Sequence, residues 1–433
     1  MKRKPFWVTI GLMVIMVSAY IFLLPQWQVR GEAVLQPQDL YGSRLIDVVV
    51  FSWCLWIGSS IGSFLNVVAW RMPRGESING RSHCPRCMSK LRARDNVPVL
   101  GWLSLGGRCY CCRLPISIRY PIVELAVGIS LSVVCFGQLY QLSLPRQVIH
   151  NSSILFASPI IEWHSSLVLI YHLLVLSLSW AAGLIRLDGH RLPLSLMRLA
   201  LFFAILPMML DPSLMVVPWQ AAMGSSWLPD AQYLDSVMRI LTSFVAAMLM
   251  GRILVPAFCP TADLKLDPLG KPTARLVDLI FILALPSIVV GWHSLPGIVV
   301  LSSVFATLLQ PKLDWKKDAL GCFAVSVPAA FTMQLVFWRV LHAPMKLGGK
   351  EYGTWYWPSE SGVPWVLLTW AGMTLLIPLW LRDFERPTSI PADGEDLAGE
   401  HEEIVDESCK DQSTLMPNNQ EIEGDENPLE QND

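Results

Sequence analysis

The stretch "SHCPRCMSKLRARDNVPVLGWLSLGGRCYCCRLP", Ser82 to Pro115, decides how this chain is read. It carries two CxxC pairs, Cys84/Cys87 and Cys109/Cys112, with 21 residues between Cys87 and Cys109. Zinc takes four soft ligands in a tetrahedron, and two CxxC turns supply four thiolates at zinc-ribbon spacing. The candidate metal ligands are therefore Cys84, Cys87, Cys109 and Cys112, around a structural Zn2+. Four unligated thiols or a redox pair are the competing readings, and Cys111 is a spare thiol beside Cys112.

Outward from this stretch the chain is apolar. Of 433 residues, 53% are hydrophobic and only 16% charged, with a mean hydropathy of +0.43. Soluble domains average about 25% charged residues. Ten apolar segments can be drawn, near 6–24, 46–69, 120–142, 164–185, 197–217, 237–256, 277–292, 295–310, 319–339 and 364–381. The predicted fold is an all-α polytopic membrane protein of about ten transmembrane helices, with a small cytosolic zinc-ribbon-like insertion. The first segment reads as an uncleaved helix because it is long and lacks a small-x-small cleavage site. The pair 277–292 and 295–310 reads as a tight hairpin.

Positive charge orients the helices. Residues 71–119 hold ten Lys/Arg against Glu76 and Asp95. With "MKRK" also inside, both termini and the cysteine module face the cytoplasm, where thiols stay reduced. Loop 218–236 lies outside and has no Lys or Arg. Residues 382–433 hold 17 Asp/Glu against three Lys/Arg, the composition of a solvated, disordered tail. The domain reading is an N-terminal helix and periplasmic loop (1–45), an N-terminal domain bearing the module (46–142), a membrane domain (164–310), further C-terminal helices (311–381) and the tail.

The flanks of the module carry a family pattern. "GSFLNVV", the "RMP" that leaves that helix, the two CxxC pairs, "DNVPVLGW" and "ISIRYPIVE" together resemble the N-terminal part of the type IV prepilin peptidases across Gly58–Gly128. The resemblance implies a bacterial inner-membrane aspartic endopeptidase. Such an enzyme cleaves leader peptides of prepilins or pseudopilins at the cytoplasmic face. It also implies N-methylation with S-adenosylmethionine in many members and a zinc-type cysteine site. The partners it implies are prepilin-like substrates and the lipid bilayer, with no nucleic acid.

The same resemblance implies two catalytic carboxylates, one of which activates water while the other protonates the leaving group. The first motif is similar to "IRLDGHRLPL", Ile185–Leu194. Aligned on Leu192-Pro193, its leading acid becomes Arg186 and its second acid remains as Asp188. Arginine stays protonated and cannot act as a base. Asp188 is the substitute, or a surface acid paired with Arg186, His190 or Arg191. The second motif has two candidates. Asp263 lies in "PTADLKL", with Pro260 and Ala262 where the family has glycines, and Asp278 opens the helix ending in "GWHSLP", with Ile280 in place of lysine. Asp314 in "LDWKKD" is a weaker match. Two functions follow: a divergent peptidase using Asp188 with Asp263 or Asp278, or a catalytically inactive member serving as a scaffold or pilin-binding component. A transporter is disfavoured because no helix shows a buried charge pair.

Overall fold

The computed structural model describes residues 4–30, 36–80, 82–84, 86–145, 159–217, 219, 232–259, 271–310, 319–343, 345–347, 350–352, 354, 356–359 and 363–381. The helices in chain order are α1 (Lys4–Ser18), α2 (Leu24–Gln28), α3 (Pro37–Arg71), α4 (Leu100–Ser104), α5 (Arg119–Leu139), α6 (Trp163–Leu187), α7 (Leu194–Leu210), α8 (Gln232–Phe258), α9 (Lys271–Val290), α10 (Leu295–Leu309), α11 (Ala319–Leu341), α12 (Pro364–Thr374) and α13 (Ile377–Trp380). Each of the ten apolar segments falls on a helix or a pair of short helices. Among the described residues eight helical stretches are long and apolar enough to cross a membrane, and Leu194–Leu210 and Pro364–Trp380 are shorter. The chain is thus a multi-pass, all-helical membrane protein with a four-cysteine module. Among the described residues the one small sheet is an antiparallel pair, β1 (Met345–Leu347) with β2 (Lys350–Tyr352).

Packing follows where small residues let backbones approach. A Cβ built on Gly62 of α3 would lie 2.9 Å from the Cα of Glu124 in α5, and one on Gly58 would lie 3.0 Å from the Gly128 carbonyl. These two helices therefore touch backbone to backbone, and the module 72–118 is strung between them. The core lies deeper in the chain. There α6 packs along α11, α5 and α9, and α9 packs mainly along α8. Between α9 and α10 the chain turns at Gly291, whose φ of +96° suits glycine. The predicted tight hairpin is only partly realised: α9 and α10 are joined by this short turn, but α10 makes its main contact with α11.

The bundle does bury charge pairs, which corrects the sequence-based expectation. Arg44 and Asp47 of α3 pair at 2.8 Å, with side chains 9% and 3% exposed. Tyr20 and Tyr140 donate their hydroxyls to the two Asp47 oxygens at 2.8 and 2.7 Å. Every strong acceptor of this carboxylate thus has a partner, which ties α3 to the first span and to the end of α5. A second pair, Arg186 with Asp278, lies at the other end of the bundle.

Candidate functional site

The module is two near-identical knuckles. In the first, Cys84 N–H donates to the Ser89 carbonyl and Met88 N–H to the Cys84 carbonyl. In the second, Cys109 N–H donates to the Leu114 carbonyl and Arg113 N–H to the Cys109 carbonyl. The residue after each CxxC, Met88 or Arg113, sits at φ +57°, a left-handed turn that glycine would adopt without strain. Single bridges, His83 with Lys90 and Arg108 with Pro115, close each loop.

The knuckles face each other. All four Sγ atoms lie within 4.8 Å, with Cys84 to Cys112 at 4.0 Å and Cys87 to Cys109 at 3.9 Å. Four thiolates at about 2.3 Å from one zinc ion stand about 3.8 Å apart, so the donor set fits that ion in chemistry and spacing. Cys111 is outside the group. Burial opposes ionisation of Cys87, but hydrogen bonding to Ser89 and to the neighbouring thiols brings it down to about 6. Burial, then the adjoining thiols, push Cys112 up to about 12. A bound cation would favour the thiolate form of all four and displace their protons.

Beneath the module is a cavity of about 390 Å³. Its wall includes Trp70 and Asn66 of α3, Tyr120 and Glu124 of α5, and Trp102 and Asp95 of the module. Glu76 lines it too. Both acids of the basic module therefore front one cavity, together with a third carboxylate from α5. The "DNVPVLGW" segment forms part of this wall because Val99 is held in place. Its N–H donates to Glu124 Oε2 at 2.6 Å, and its φ is +60°. A β-branched residue with positive φ is strained, and the carboxylate bond offsets that cost. Trp102 donates from Nε1 to the Ile116 carbonyl at 3.1 Å and closes the wall.

The predicted catalytic residues separate. Helix α6 ends in a left-handed turn at Gly189, φ +76°, with Gly189 N–H to the Arg186 carbonyl and His190 N–H to the Ile185 carbonyl. This turn folds "RLDGHRLP" back over its own helix and leaves Arg186 and Asp188 on different sides. Asp188 pairs with Arg119, at 2.5 Å to one nitrogen and 2.9 Å to the other, a bidentate bond to the start of α5. The sequence offered Arg186, His190 and Arg191 as its partners; none of them takes that place.

Arg186 instead faces α9. It pairs with Asp278 at 3.5 Å, with side chains 3% and 5% exposed, and donates to the His190 carbonyl at 3.0 Å. Leu192 N–H donates to Asp278 Oδ2 at 3.4 Å. Arg191 and Arg275 add positive potential at that carboxylate. The two positions that separate alignments put in the family's acid places are thus neighbours in space, but as an Arg–Asp pair. Asp263 and Asp314 lie outside the described residues, as does the acidic tail. Three features escaped the sequence reading: the Val99–Glu124 bond, Arg119 as the partner of Asp188, and the cavity. Arg119 and Glu124 both sit inside "ISIRYPIVE", so the signal was present but carried no contact.

Residues 56–138 match the family described as Bacterial Peptidase A24 N-terminal domain. The chain is 49% identical over 90 residues to a prepilin leader peptidase/N-methyltransferase of Myxococcus xanthus (strain DK1622), covering 20% of this chain and 27% of that protein. It is 46% identical over 92 residues to the type 4 prepilin-like proteins leader peptide-processing enzyme of Escherichia coli O78:H11 (strain H10407 / ETEC), covering 17% and 34%. A prepilin leader peptidase/N-methyltransferase of Klebsiella pneumoniae is 49% identical over 78 residues, covering 16% and 34%. The chain spans about a third of the length of these curated relatives. No solved structure matches. Through the second half of α3, the four-cysteine module and α5, this chain is thus similar to the N-terminal domain of the prepilin leader peptidases.

Proposed function

We propose that this chain acts in prepilin processing in the bacterial inner membrane, with the module on the cytoplasmic side, and that it holds prepilin-like segments without cutting them at the α6–α9 seam. The observation that carries this reading is the buried Arg186–Asp278 pair. An aspartyl peptidase needs two carboxylates sharing one proton, so that one activates water and the other protonates the leaving group. An arginine in the first place leaves one carboxylate at the seam instead of two, so there is no second acid with which Asp278 could share a proton. Asp188 is engaged by Arg119 and so is not a ready replacement.

The binding half of the reading rests on the cavity. Glu76, Asp95 and Glu124 would meet the positive charges of a leader, while Trp70, Trp102 and Tyr120 would cover its apolar continuation. The domain division, with a binding unit at 46–142 and a peptidase-like unit at 164–310, belongs to the same proposal. The zinc ion would have a folding role, holding the two knuckles that shape the cavity wall. Nothing in the site selects S-adenosylmethionine, and methyl transfer is no part of this reading.

The competing reading is a divergent endopeptidase using Asp188 with Asp263 or Asp278. The names of the relatives favour it. One experiment separates the two. Membranes containing the full chain are given a prepilin bearing a photo-crosslinker in its leader, and crosslinking and cleavage are both measured. The expected result is crosslinking to residues 56–138 without cleavage, and the appearance of cleavage in Arg186→Asp. Cleavage by wild type that disappears in Asp188→Asn, Asp263→Asn or Asp278→Asn would overturn the non-cleaving reading. Absence of crosslinking would overturn the binding reading.

A further inference from the structure

Two cysteines outside the module face each other. Cys54 of α3 and Cys135 of α5 have Sγ atoms 3.0 Å apart, and both are partly exposed. A disulfide needs about 2.0 Å between sulfurs and Cα atoms about 4.4–6.8 Å apart. The contact of Gly58 on Gly128, one turn from Cys54 and two turns from Cys135, brings the two backbones together, and the sulfurs have about 1 Å left to close.

Depth is the second consideration. Cys54 lies 17 residues before Arg71, and Cys135 lies 16 residues after Arg119. At about 1.5 Å per residue both sulfurs stand about 25 Å from the module end of their helices. The apolar core of a bilayer is about 30 Å thick, so the pair lies close to the opposite boundary. With the module in the cytoplasm, that boundary faces the compartment in which disulfides form and persist.

We infer that Cys54 and Cys135 form a disulfide that staples α3 to α5. The inference rests on the orientation proposed above, since the reverse orientation would place the pair against a reducing compartment. The oxidant is a disulfide-bearing thiol carrier of the outer compartment. One cysteine thiolate attacks the carrier disulfide and releases one carrier thiol, giving a mixed disulfide. The second cysteine then attacks the mixed disulfide and releases the other carrier thiol. Two S–H bonds are lost and one S–S bond forms, while the carrier gains two electrons and two protons. The covalent loop spans the whole module, because residues 72–118 lie between the stapled helices. The staple therefore fixes the spacing of α3 and α5, both of which line the cavity.

The test uses the full chain in oriented membrane vesicles. Samples are quenched with acid and alkylated in denaturant, and their peptides are mapped without reductant. The expected product is one crosslinked peptide pair containing Cys54 and Cys135, two hydrogens lighter than the two free peptides. It should be lost in Cys54→Ala and Cys135→Ala and on reduction. Reduced vesicles are then exposed to oxidised glutathione, which does not cross the bilayer, on one face at a time. Closure from the face opposite the module supports the inference. Closure only from the module face leaves the pairing intact but overturns the outer-compartment assignment, and impermeant labelling of the module then shows whether the orientation itself has failed. Full alkylation of both cysteines under every condition overturns the inference. The alanine variants must still retain zinc, which separates loss of the staple from loss of the fold.

Discussion

The α3–module–α5 unit and the α6–α9 seam meet at the same end of the bundle, where Arg119 of one holds Asp188 of the other. In the first unit the family-like residues contact each other: CxxC faces CxxC, and the Val99 amide is bonded to Glu124. In the seam Arg186 and Asp278 also contact each other, as a buried ion pair. Family resemblance that is dense in one region therefore does not transfer chemistry to another. Under the function proposed above, the fold is kept for shape and binding, and the buried charge at the seam is neutralised by its partner.

The comparison can be broken most severely at the metal. Replacing Cys84 and Cys109 together by serine should abolish zinc retention, measured as metal per purified chain. Because binding and folding are linked, the loss corresponds to about 10–16 kcal/mol in small zinc peptides. Limited proteolysis should then cut within 72–118 while the helices stay protected. Retained stoichiometric zinc would separate the four thiols from the metal.

The seam gives the next largest effect. Asp278→Asn removes the carboxylate that faces the buried Arg186, which should lower stability by up to about 3–5 kcal/mol, seen as a lower thermal midpoint in detergent. Replacing both partners with apolar residues, Arg186→Met with Asp278→Leu, should restore the midpoint to the wild-type value or above it. If the single variant unfolds like wild type, the pair does not act as a buried unit.

At the helix contact, Gly62→Val places a branched side chain against the Glu124 backbone, 2.9 Å from where its Cβ must go. The overpacking should cost about 1–3 kcal/mol. It should also raise the distance between α3 and α5, read by spin labels at their exposed faces. The smallest effect is expected at the junction of the two regions. The Arg119–Asp188 pair is partly solvated, so Arg119→Ala should lower the thermal midpoint by the equivalent of about 1 kcal/mol or less. A drop as large as that of Asp278→Asn would mean that the two regions fold as one unit through this pair.

Much of this was legible in the chain. The apolar segments located every span because membrane helices must be long and uncharged, and the two CxxC pairs announced their own meeting because the motif is local. Arg186 was visible as an anomaly beside Asp188. Its partner was not, since 92 residues of sequence separate it from Asp278 and no periodicity records that separation. Arg44 and Asp47 were misjudged for a different reason. The boundary drawn at residue 46 fell between them, and the tyrosines that satisfy the pair, Tyr20 and Tyr140, come from the first span and the end of α5.

By itself, then, the sequence determined a polytopic helical protein, a four-thiol module, and the likeness of residues 56–138 to the prepilin peptidase N-terminal domain. These follow from local composition and spacing. The tertiary structure alone decided that Asp188 belongs to Arg119, that Arg186 and Asp278 neutralise each other, and that the acids of a basic module gather around one cavity. Each of these is a contact between helices, and the physical reason is the same for all three. A charge removed from water takes whichever partner packing brings within reach, and packing is a property of the assembled bundle rather than of any one segment.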